Sequence, residues 1–316
     1  MSANVQAPSG KPVPSPARKW GKRLAIGLIV LLILALLGAA GVSGYVGWNL
    51  THPKRLAVTG SPGDLGLTYQ NVNFPSRSDK LQLSGWYIPA PAAQGIVIEA
   101  HGYGKNRDGE KPSLPVAKAL NQKGLSVLMF DFRDSGSSQG SMVSVGDFEQ
   151  RDLLGAVDYA KELGYRNIGI IGYSMGASTA AAMAAQAPEV EAVILDSPFA
   201  DLKSYLEVNM PVWTKLPNFP FTTLILREIP LMTGIDPAHV SPVKALPALS
   251  PKPLLLIAGT ADDTIPMSNS EELYQKSHDP KAELWLVPGA KHVGAYTVEP
   301  DRYLAKVSGF FAANLR

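Results

Sequence analysis

The stretch that most constrains the fold is residues 168–187, where a short apolar run meets an alanine-rich run through Gly-Tyr-Ser-Met-Gly at 172–176. The first run is rich in β-branched residues, which is typical of a buried strand, and alanine favours a helix. A strand that turns into a helix within one or two residues forces the corner residue into a strained conformation with its side chain exposed. The flanking glycines keep side-chain bulk away where strand and helix nearly touch. The pattern predicts a corner that presents Ser174, and a Gly/Ser turn without chemistry is the alternative.

The rest of the chain alternates strands with helices, which predicts an α/β fold with a mostly parallel sheet covered on both faces. The strands are predicted at residues 81–88, 96–100, 127–130, 168–171, 193–195, 254–258 and 283–287. The helices are predicted at residues 112–123, 144–163, 175–187 and 300–314. Residues 199–250 depart from the alternation and are rich in proline and in apolar side chains. They predict a small inserted cap over the C-terminal edge of the sheet, and a set of surface helices is the alternative.

The segment at residues 24–48 carries no charge and consists mostly of Leu, Ile, Val, Ala and Gly. About 22 helical residues that rise ~1.5 Å each span about 33 Å, close to the ~30 Å hydrocarbon core of a bilayer. The segment predicts a transmembrane signal-anchor helix. A disordered, basic cytoplasmic tail (1–23) would precede it, and a linker (49–65) and a single α/β domain (66–316) would follow.

The orientation of this segment follows from the charges beside it. Basic residues are denser before the segment than after it. The positive-inside rule therefore places the N-terminus in the cytoplasm and the main domain on the extracytoplasmic side of the cell membrane. The alternative is a signal peptide cleaved near the Gly-Ala-Ala-Gly sequence at 38–41, which would make the protein secreted.

Composition excludes several classes of protein. The net charge of +2 over 316 residues gives no reason to expect a nucleic-acid partner. The chain has no cysteine, which excludes disulfides, thiolate metal sites and a cysteine nucleophile. No cluster has metal-ligand spacing and no glycine loop lies in a nucleotide-binding context, so neither a metal nor a cofactor is predicted. The expected partners are a small-molecule or lipid-like acyl substrate and, through residues 24–48, a membrane.

Three residues suited to covalent acyl transfer each follow a predicted strand, in the order Ser174, Asp262, His292. A serine hydroxyl is a poor nucleophile at neutral pH and needs an adjacent base, which His292 would supply. Asp262 would fix the imidazole tautomer and stabilise the imidazolium that forms. Asp263 follows the same strand and is the runner-up acid.

The order of these residues, with the motifs around them, resembles the α/β-hydrolase fold over about residues 65–316. The matching motifs are His-Gly-Tyr-Gly at 101–104, the loop at 131–140, the glycines and serine at 172–176, Asp-Ser-Pro at 196–198 and Gly-x-x-Asp-x-x-Ile-Pro at 259–266. Within that superfamily the chain is similar to the serine aminopeptidase and monoacylglycerol-lipase-like group, and to membrane-anchored hydrolases of the α/β-hydrolase-domain 13 and 17 type. The Gly-x-x-Asp-x-x-Ile-Pro motif favours Asp262 over Asp263 as the acid. Asp134 is a departure, because many relatives carry glycine there.

The resemblance also implies where an oxyanion would be stabilised. Two preorganised N–H donors are needed, and Met175, after the serine, and Tyr103, after His-Gly, are the expected ones. His101 is expected to be a structural residue of this loop, because the base of similar chains comes last.

We therefore expect a serine hydrolase that cleaves a carboxylic ester or thioester of a partly apolar substrate through an acyl-enzyme. A serine peptidase of the same fold is the alternative within this class. A catalytically silent hydrolase-fold protein, kept as a binding or scaffold module, is the alternative from another class.

Overall fold

An eight-stranded, mostly parallel sheet forms the centre of the protein, as the alternation of strands and helices predicts. The computed structural model describes residues 16–249, 251–277 and 280–315. The strands are β1 (Gln70–Pro75), β2 (Gln82–Ile88), β3 (Gly95–Ala100), β4 (Ser126–Phe130), β5 (Asn167–Tyr173), β6 (Val190–Asp196), β7 (Leu254–Gly259) and β8 (Glu283–Val287). Their order across the sheet is β1-β2-β4-β3-β5-β6-β7-β8. The β1–β2 and β2–β4 pairs are antiparallel and the other pairs are parallel.

Helices cover both faces of the sheet. They are α1 (Pro16–Thr51), α2 (Ser113–Gln122), α3 (Glu149–Glu162), α4 (Met175–Ala182), α5 (Leu202–Thr214), α6 (Thr223–Thr233), α7 (Pro242–Ala245), α8 (Ser268–Ser277), α9 (Ala295–Val298) and α10 (Pro300–Asn314). Helices α2, α9 and α10 pack with Val97 of β3 on one face, whereas α3, α4 and α8 pack with Ile96 and Ile98 on the other. Because successive side chains of a strand point to opposite faces, the sheet separates two hydrophobic cores.

Central strands agree closely with the prediction because they are buried on both faces and read as continuous apolar runs. All residues of β3 and of β7 are buried. Strand β1 is absent from the prediction, since only Val72 and Phe74 of its residues are buried and an edge strand of this kind has a weak alternating pattern. Helix α4 ends at Ala182, before the predicted end at residue 187, and a short 3-10 turn at Ala184–Gln186 follows it.

The register of the parallel strands brings the predicted site segments to one edge of the sheet. Ala100 of β3 pairs with Gly172 of β5, and Tyr173 pairs with Asp196 of β6. The ends of β7 and β8 are aligned in the same way, with Gly259 opposite Val287. The loops that leave β3, β5, β6, β7 and β8 therefore begin side by side, where ligands bind in sheets of this type.

The insertion predicted at residues 199–250 separates β6 from β7 and contains α5, α6 and α7 with short 3-10 and π turns. Helix α5 is capped by Asp201, whose carboxylate accepts a hydrogen bond from the backbone N–H of Ser204 at 2.9 Å. Met210 of α5 lines the same cavity as Ser174. The insertion therefore lies over the C-terminal edge of the sheet as a cap.

Helix α1 is long and apolar enough, over Trp20–Thr51, to cross a membrane. The helix begins at Pro16, whereas the sequence predicts a disordered tail up to residue 23. Proline is favoured in the first turn of a helix, and the alanine, arginines and lysines that follow are strong helix formers. Residues 1–15 lie outside the described part of the chain.

The last turns of α1 pack against the cap, whereas the prediction assigned residues 24–48 entirely to the membrane. The large apolar side chains between residues 24 and 42 are exposed. Ser43 and Gly47, in contrast, are buried. A Cβ atom at Gly47 would lie 3.0 Å from the side chain of Ile229 in α6. The end of α1 is thus part of the packed domain.

Polar contacts hold the segment after α1 against the main domain. The guanidinium of Arg55 donates to Asp134 Oδ1 at 2.8 Å and to the carbonyl of Ser138 at 2.7 Å. The side-chain amide of Asn106 donates to the carbonyl of Leu56 at 3.1 Å. Asp134 has a φ of 54°, a left-handed conformation that favours glycine. The ion pair with Arg55 offsets this strain and gives the aspartate a structural role at this position.

Glu99 of β3 is a buried carboxyl within the sheet. Its Oε2 accepts a hydrogen bond from the Tyr173 hydroxyl at 3.3 Å, and its Oε1 has no partner among the residues that the structure describes. Burial raises the pKa of Glu99 well above its ordinary value of 4.5. The folded protein therefore retains a proton that the unfolded chain releases above that pH.

We expect Glu99→Gln to flatten the pH dependence of stability. While the folded carboxyl stays protonated, Glu99 makes the free energy of unfolding fall by about 1.4 kcal/mol for each unit that the pH rises above its unfolded pKa. Glutamine is neutral at every pH and has nearly the same shape, so it removes this contribution. The measurement is Tm from pH 5 to pH 8 for the full chain in detergent.

Glu207→Gln, on the exposed surface of α5, is the matched control and should keep the wild-type slope. A Glu99→Gln slope equal to that of the wild type would show that Glu99 is ionised in the folded protein.

Candidate active site

Ser174 lies at the corner between β5 and α4, as the sequence predicts. Its backbone has a φ of 52° and a ψ of −115°, a strained conformation for a residue with a side chain. A Cβ atom at Gly172 would lie 2.5 Å from the backbone of Ala177, and one at Gly176 would overlap the carbonyl of Ala100. The two glycines therefore permit the close approach of strand, helix and neighbouring strand that this corner requires.

A continuous hydrogen-bond chain connects Ser174, His292 and Asp262. The Nε2 atom of His292 lies 2.8 Å from Ser174 Oγ, and its Nδ1 atom lies 2.8 Å from Asp262 Oδ2. A carboxylate only accepts hydrogen bonds, so Nδ1 carries the proton and donates it to Asp262. Nε2 is then left with a lone pair that accepts from the Ser174 hydroxyl. This is the tautomer that general-base catalysis needs.

Asp262 is held in a fixed orientation. Its Oδ1 atom accepts backbone hydrogen bonds from Thr264 and Ile265, both at 2.9 Å, while Oδ2 faces His292. The carboxylate is only 1% exposed. Asp263, the runner-up acid, is exposed and takes no part in this chain of contacts among the described residues.

The loop that carries His292 is tied to the end of β6. The backbone N–H of Val293 donates to Ser197 Oγ at 3.1 Å, and the Ser197 hydroxyl donates to Asp196 at 3.0 Å. Asp196 is buried and also accepts from the Tyr303 hydroxyl at 2.7 Å. Burial raises the pKa of Asp196 to about 6, against the lowering effect of these two donors. The Asp-Ser-Pro motif at 196–198 thus positions the histidine loop, a role that the sequence analysis did not assign.

The two predicted oxyanion donors also lie at this edge. Met175 is the first residue of α4, and Tyr103 follows β3 in a turn. Neither backbone N–H donates to a protein acceptor within the described part of the chain. Unpaired N–H groups beside a nucleophile are suited to stabilising developing negative charge.

The loop that bears Tyr103 is fixed by its neighbours. The Nδ1 atom of His101 contacts the carbonyl of Gly102 at 2.8 Å, and its Nε2 atom accepts from the N–H of Phe132 at 3.0 Å. Both ring nitrogens of His101 are therefore occupied, in keeping with the structural role predicted for it. The N–H of Gly102 donates to Glu110 at 3.2 Å. Glu110 lies outside every motif noted in the sequence, so no local pattern could have identified it.

Two recesses of different character meet at Ser174. The first is an apolar cavity of ≈ 70 Å³ beneath the cap, whose lining includes Met175, Phe199, Met210, Trp213, Ile229 and Ile265. The second is a wider groove of ≈ 710 Å³ that includes His292 and four charged side chains, namely Lys105, Glu110, Lys215 and Asp263. Ser174 thus borders both an apolar recess and a polar one.

Comparison with known proteins agrees with the fold. A sequence model of the α/β hydrolase fold matches residues 95–225. The chain is 31% identical over 232 residues to the uncharacterized protein YqkD of Bacillus subtilis (strain 168), covering 72% of this chain and 74% of that protein. It is 29% identical over 236 residues to the uncharacterized protein YfhR of Escherichia coli O157:H7, covering 72% and 75%.

Among solved structures, the Pyrococcus furiosus esterase Pf2001 is similar to this protein. It superposes with a TM-score of 0.71 and 29% sequence identity, over 84% of this chain and 99% of the esterase. The chain therefore belongs to the α/β-hydrolase fold family. Its fold and its esterase structural neighbours support ester hydrolysis as its general activity.

Proposed function

We propose that the protein is a serine ester hydrolase in which Ser174 is the nucleophile, His292 the general base and Asp262 the residue that orients it. The observation that carries this proposal is the hydrogen-bond chain from Ser174 through His292 to Asp262, with 2.8 Å at both links. It starts at a strained corner where Ser174, although buried, borders two recesses, and it ends at a buried carboxylate. A scaffold protein has no need of this combination, which argues against a catalytically silent module.

The proposed reaction is acyl transfer through Ser174. His292 Nε2 takes the proton of Ser174 as Oγ attacks the ester carbonyl carbon, and the oxyanion that forms is stabilised by the N–H groups of Met175 and Tyr103. Collapse of this intermediate breaks the ester C–O bond, and His292 returns the proton to the leaving alkoxide. Water, activated by His292, then cleaves the acyl-enzyme and releases the acid.

The two recesses support a proposal for where the two halves of the substrate bind. The leaving group receives its proton from His292, so it lies on the side of the polar groove that contains His292, Lys105 and Glu110. The acyl group then occupies the apolar cavity beneath the cap. We infer an ester of an apolar acyl group with a polar alcohol as the preferred substrate class.

We also propose that the protein is anchored in the cell membrane by α1, with residues 66–316 as the catalytic domain on the extracytoplasmic side. The charge asymmetry around the apolar segment supports this orientation. The proposed membership of the serine aminopeptidase and monoacylglycerol-lipase-like group, and the proposed similarity to the α/β-hydrolase-domain 13 and 17 type, rest on the motifs at 101–104 and 259–266.

The test uses the full chain in detergent micelles. We expect a fluorophosphonate to form a single adduct on the peptide that contains Ser174, located by mass spectrometry. We expect p-nitrophenyl esters to be hydrolysed much faster than leucine p-nitroanilide, which reports peptidase action. Preferential cleavage of the anilide would replace the esterase proposal with the peptidase alternative, and a folded protein that neither labels nor hydrolyses either compound would contradict both.

A further inference from the structure

Part of the wall of the apolar cavity comes from the end of α1, a segment that is far from Ser174 in the sequence. Leu50 and Thr51 line the cavity together with Ser174. Leu50 packs in the hydrophobic cluster that contains Met210 of α5 and Ile229 of α6. The helix whose earlier part is exposed and apolar therefore reaches the candidate active site with its last turn.

Hydrogen bonds fix this last turn against the catalytic loops. The hydroxyl of Tyr103, the predicted oxyanion residue, donates to the carbonyl of Leu50 at 2.6 Å. The N–H of Val143 donates to the carbonyl of Thr51 at 2.8 Å. Burial raises the pKa of Tyr103 to about 12, so its hydroxyl remains a donor at neutral pH. The position of Leu50 is thereby linked directly to the loop that supplies an oxyanion donor.

The end of α1 also packs closely against α6 of the cap. Gly47 has no side chain, which allows α1 to approach Ile229 so closely that a Cβ atom there would lie 3.0 Å from it. Ile229 lines the same cavity as Leu50. The end of α1 and α6 thus both contribute to the wall of the cavity.

We propose that Leu50, at the end of α1, is a specificity-determining residue that limits the length of the acyl chain this protein accepts. The proposal rests on the serine-hydrolase function proposed above. The cavity of ≈ 70 Å³ is small. Its lining includes Leu50 together with Met210 and Ile229, so these side chains limit the space for an acyl chain. Acyl chains of intermediate length should therefore be the best substrates, and longer ones should meet Leu50.

This role makes α1 more than an anchor. A soluble form that begins after Thr51 would lack one wall of the acyl pocket and the acceptor of the Tyr103 hydroxyl. Removing the helix is therefore not a neutral way to prepare the enzyme, and its chain-length preference is meaningful only when the end of α1 is present.

The test compares variants of the full chain in detergent with p-nitrophenyl esters from two to twelve carbons. Leu50→Ala enlarges the cavity and should move the optimum by about two carbons toward longer chains, raising kcat/KM for these relative to the wild-type optimum about tenfold. Leu50→Phe fills the cavity and should move the optimum toward shorter chains. Leu34→Ala, at an exposed position in the middle of α1, is the matched control and should leave the profile unchanged.

Opposite shifts from Leu50→Ala and Leu50→Phe separate a pocket effect from general destabilisation, which would lower all rates together. Extents of fluorophosphonate labelling correct each rate for the fraction of active protein. An unchanged chain-length optimum in both Leu50 variants of an active enzyme would overturn the proposal while leaving the hydrolase function intact. A wild-type protein without any ester hydrolysis would overturn the proposed function, and this inference with it.

Discussion

Replacing Ser174 with alanine is expected to reduce the turnover of an ester substrate by about 10⁶-fold, equivalent to about 8 kcal/mol of transition-state stabilisation. The reason is that, in the proposed mechanism, the acyl-enzyme forms on Ser174 Oγ, which lies 2.8 Å from His292 Nε2. Alanine has no atom that can attack the carbonyl. The measurement is kcat for a p-nitrophenyl ester near the chain-length optimum, together with the loss of fluorophosphonate labelling.

The loss of activity must be separated from the loss of the fold. Ser137→Ala, at an exposed position of the loop at 131–140, should keep full activity and labelling. Ser174→Ala should keep the wild-type Tm within a few degrees, because both residues have a Cβ atom and meet the same strain at a φ of 52°. A folded Ser174→Ala protein that still labels and turns over would place the nucleophile elsewhere.

The central sheet could be predicted from the sequence because burial on both faces leaves a clear local pattern. Strands β3, β5 and β7 consist mostly of buried apolar residues, and the corner at Ser174 is marked by glycines that the geometry demands. Strand β1 at the edge has only two buried side chains and gives a weak signal. The packing of the end of α1 could not be predicted, because the residues that contact the cap belong to one long apolar segment of the sequence.

The residues of the candidate site also differ in whether the sequence predicts them. Ser174, Asp262 and His292 each follow a strand of the parallel sheet, so topology alone brings them to one edge. Leu50, in contrast, reaches the site through a contact between distant segments, since the Tyr103 hydroxyl donates to its carbonyl. No spacing in the sequence encodes such contacts, since they depend on how the cap and α1 pack. Local pattern therefore predicts the candidate reacting groups, and tertiary packing determines the pocket around them.

Replacing Asp262 with asparagine is expected to lower kcat about 10⁴-fold by selecting the wrong tautomer of His292. Two backbone N–H groups, from Thr264 and Ile265, donate to Asp262 Oδ1. Asparagine must place its only side-chain oxygen there, so its NH₂ group faces His292 Nδ1. Nδ1 must then accept a hydrogen bond, and the proton moves to Nε2. An imidazole with a proton on Nε2 cannot take the proton of Ser174. The measurement is kcat at neutral pH with a saturating ester.

Asp263→Asn is the control that this chain offers, because the same chemical change is made one residue away. Asp263 is exposed and lies outside the hydrogen-bond chain, so its replacement should alter kcat by less than about threefold, through the charge of the polar groove. A large loss in Asp263→Asn with a small loss in Asp262→Asn would make Asp263 the acid and would require the loop after β7 to rearrange. Equal, small losses in both would mean that neither carboxylate orients His292. The pair of variants therefore tests whether the buried carboxylate acts through the tautomer of the base, since only this mechanism makes one of two adjacent aspartates indispensable.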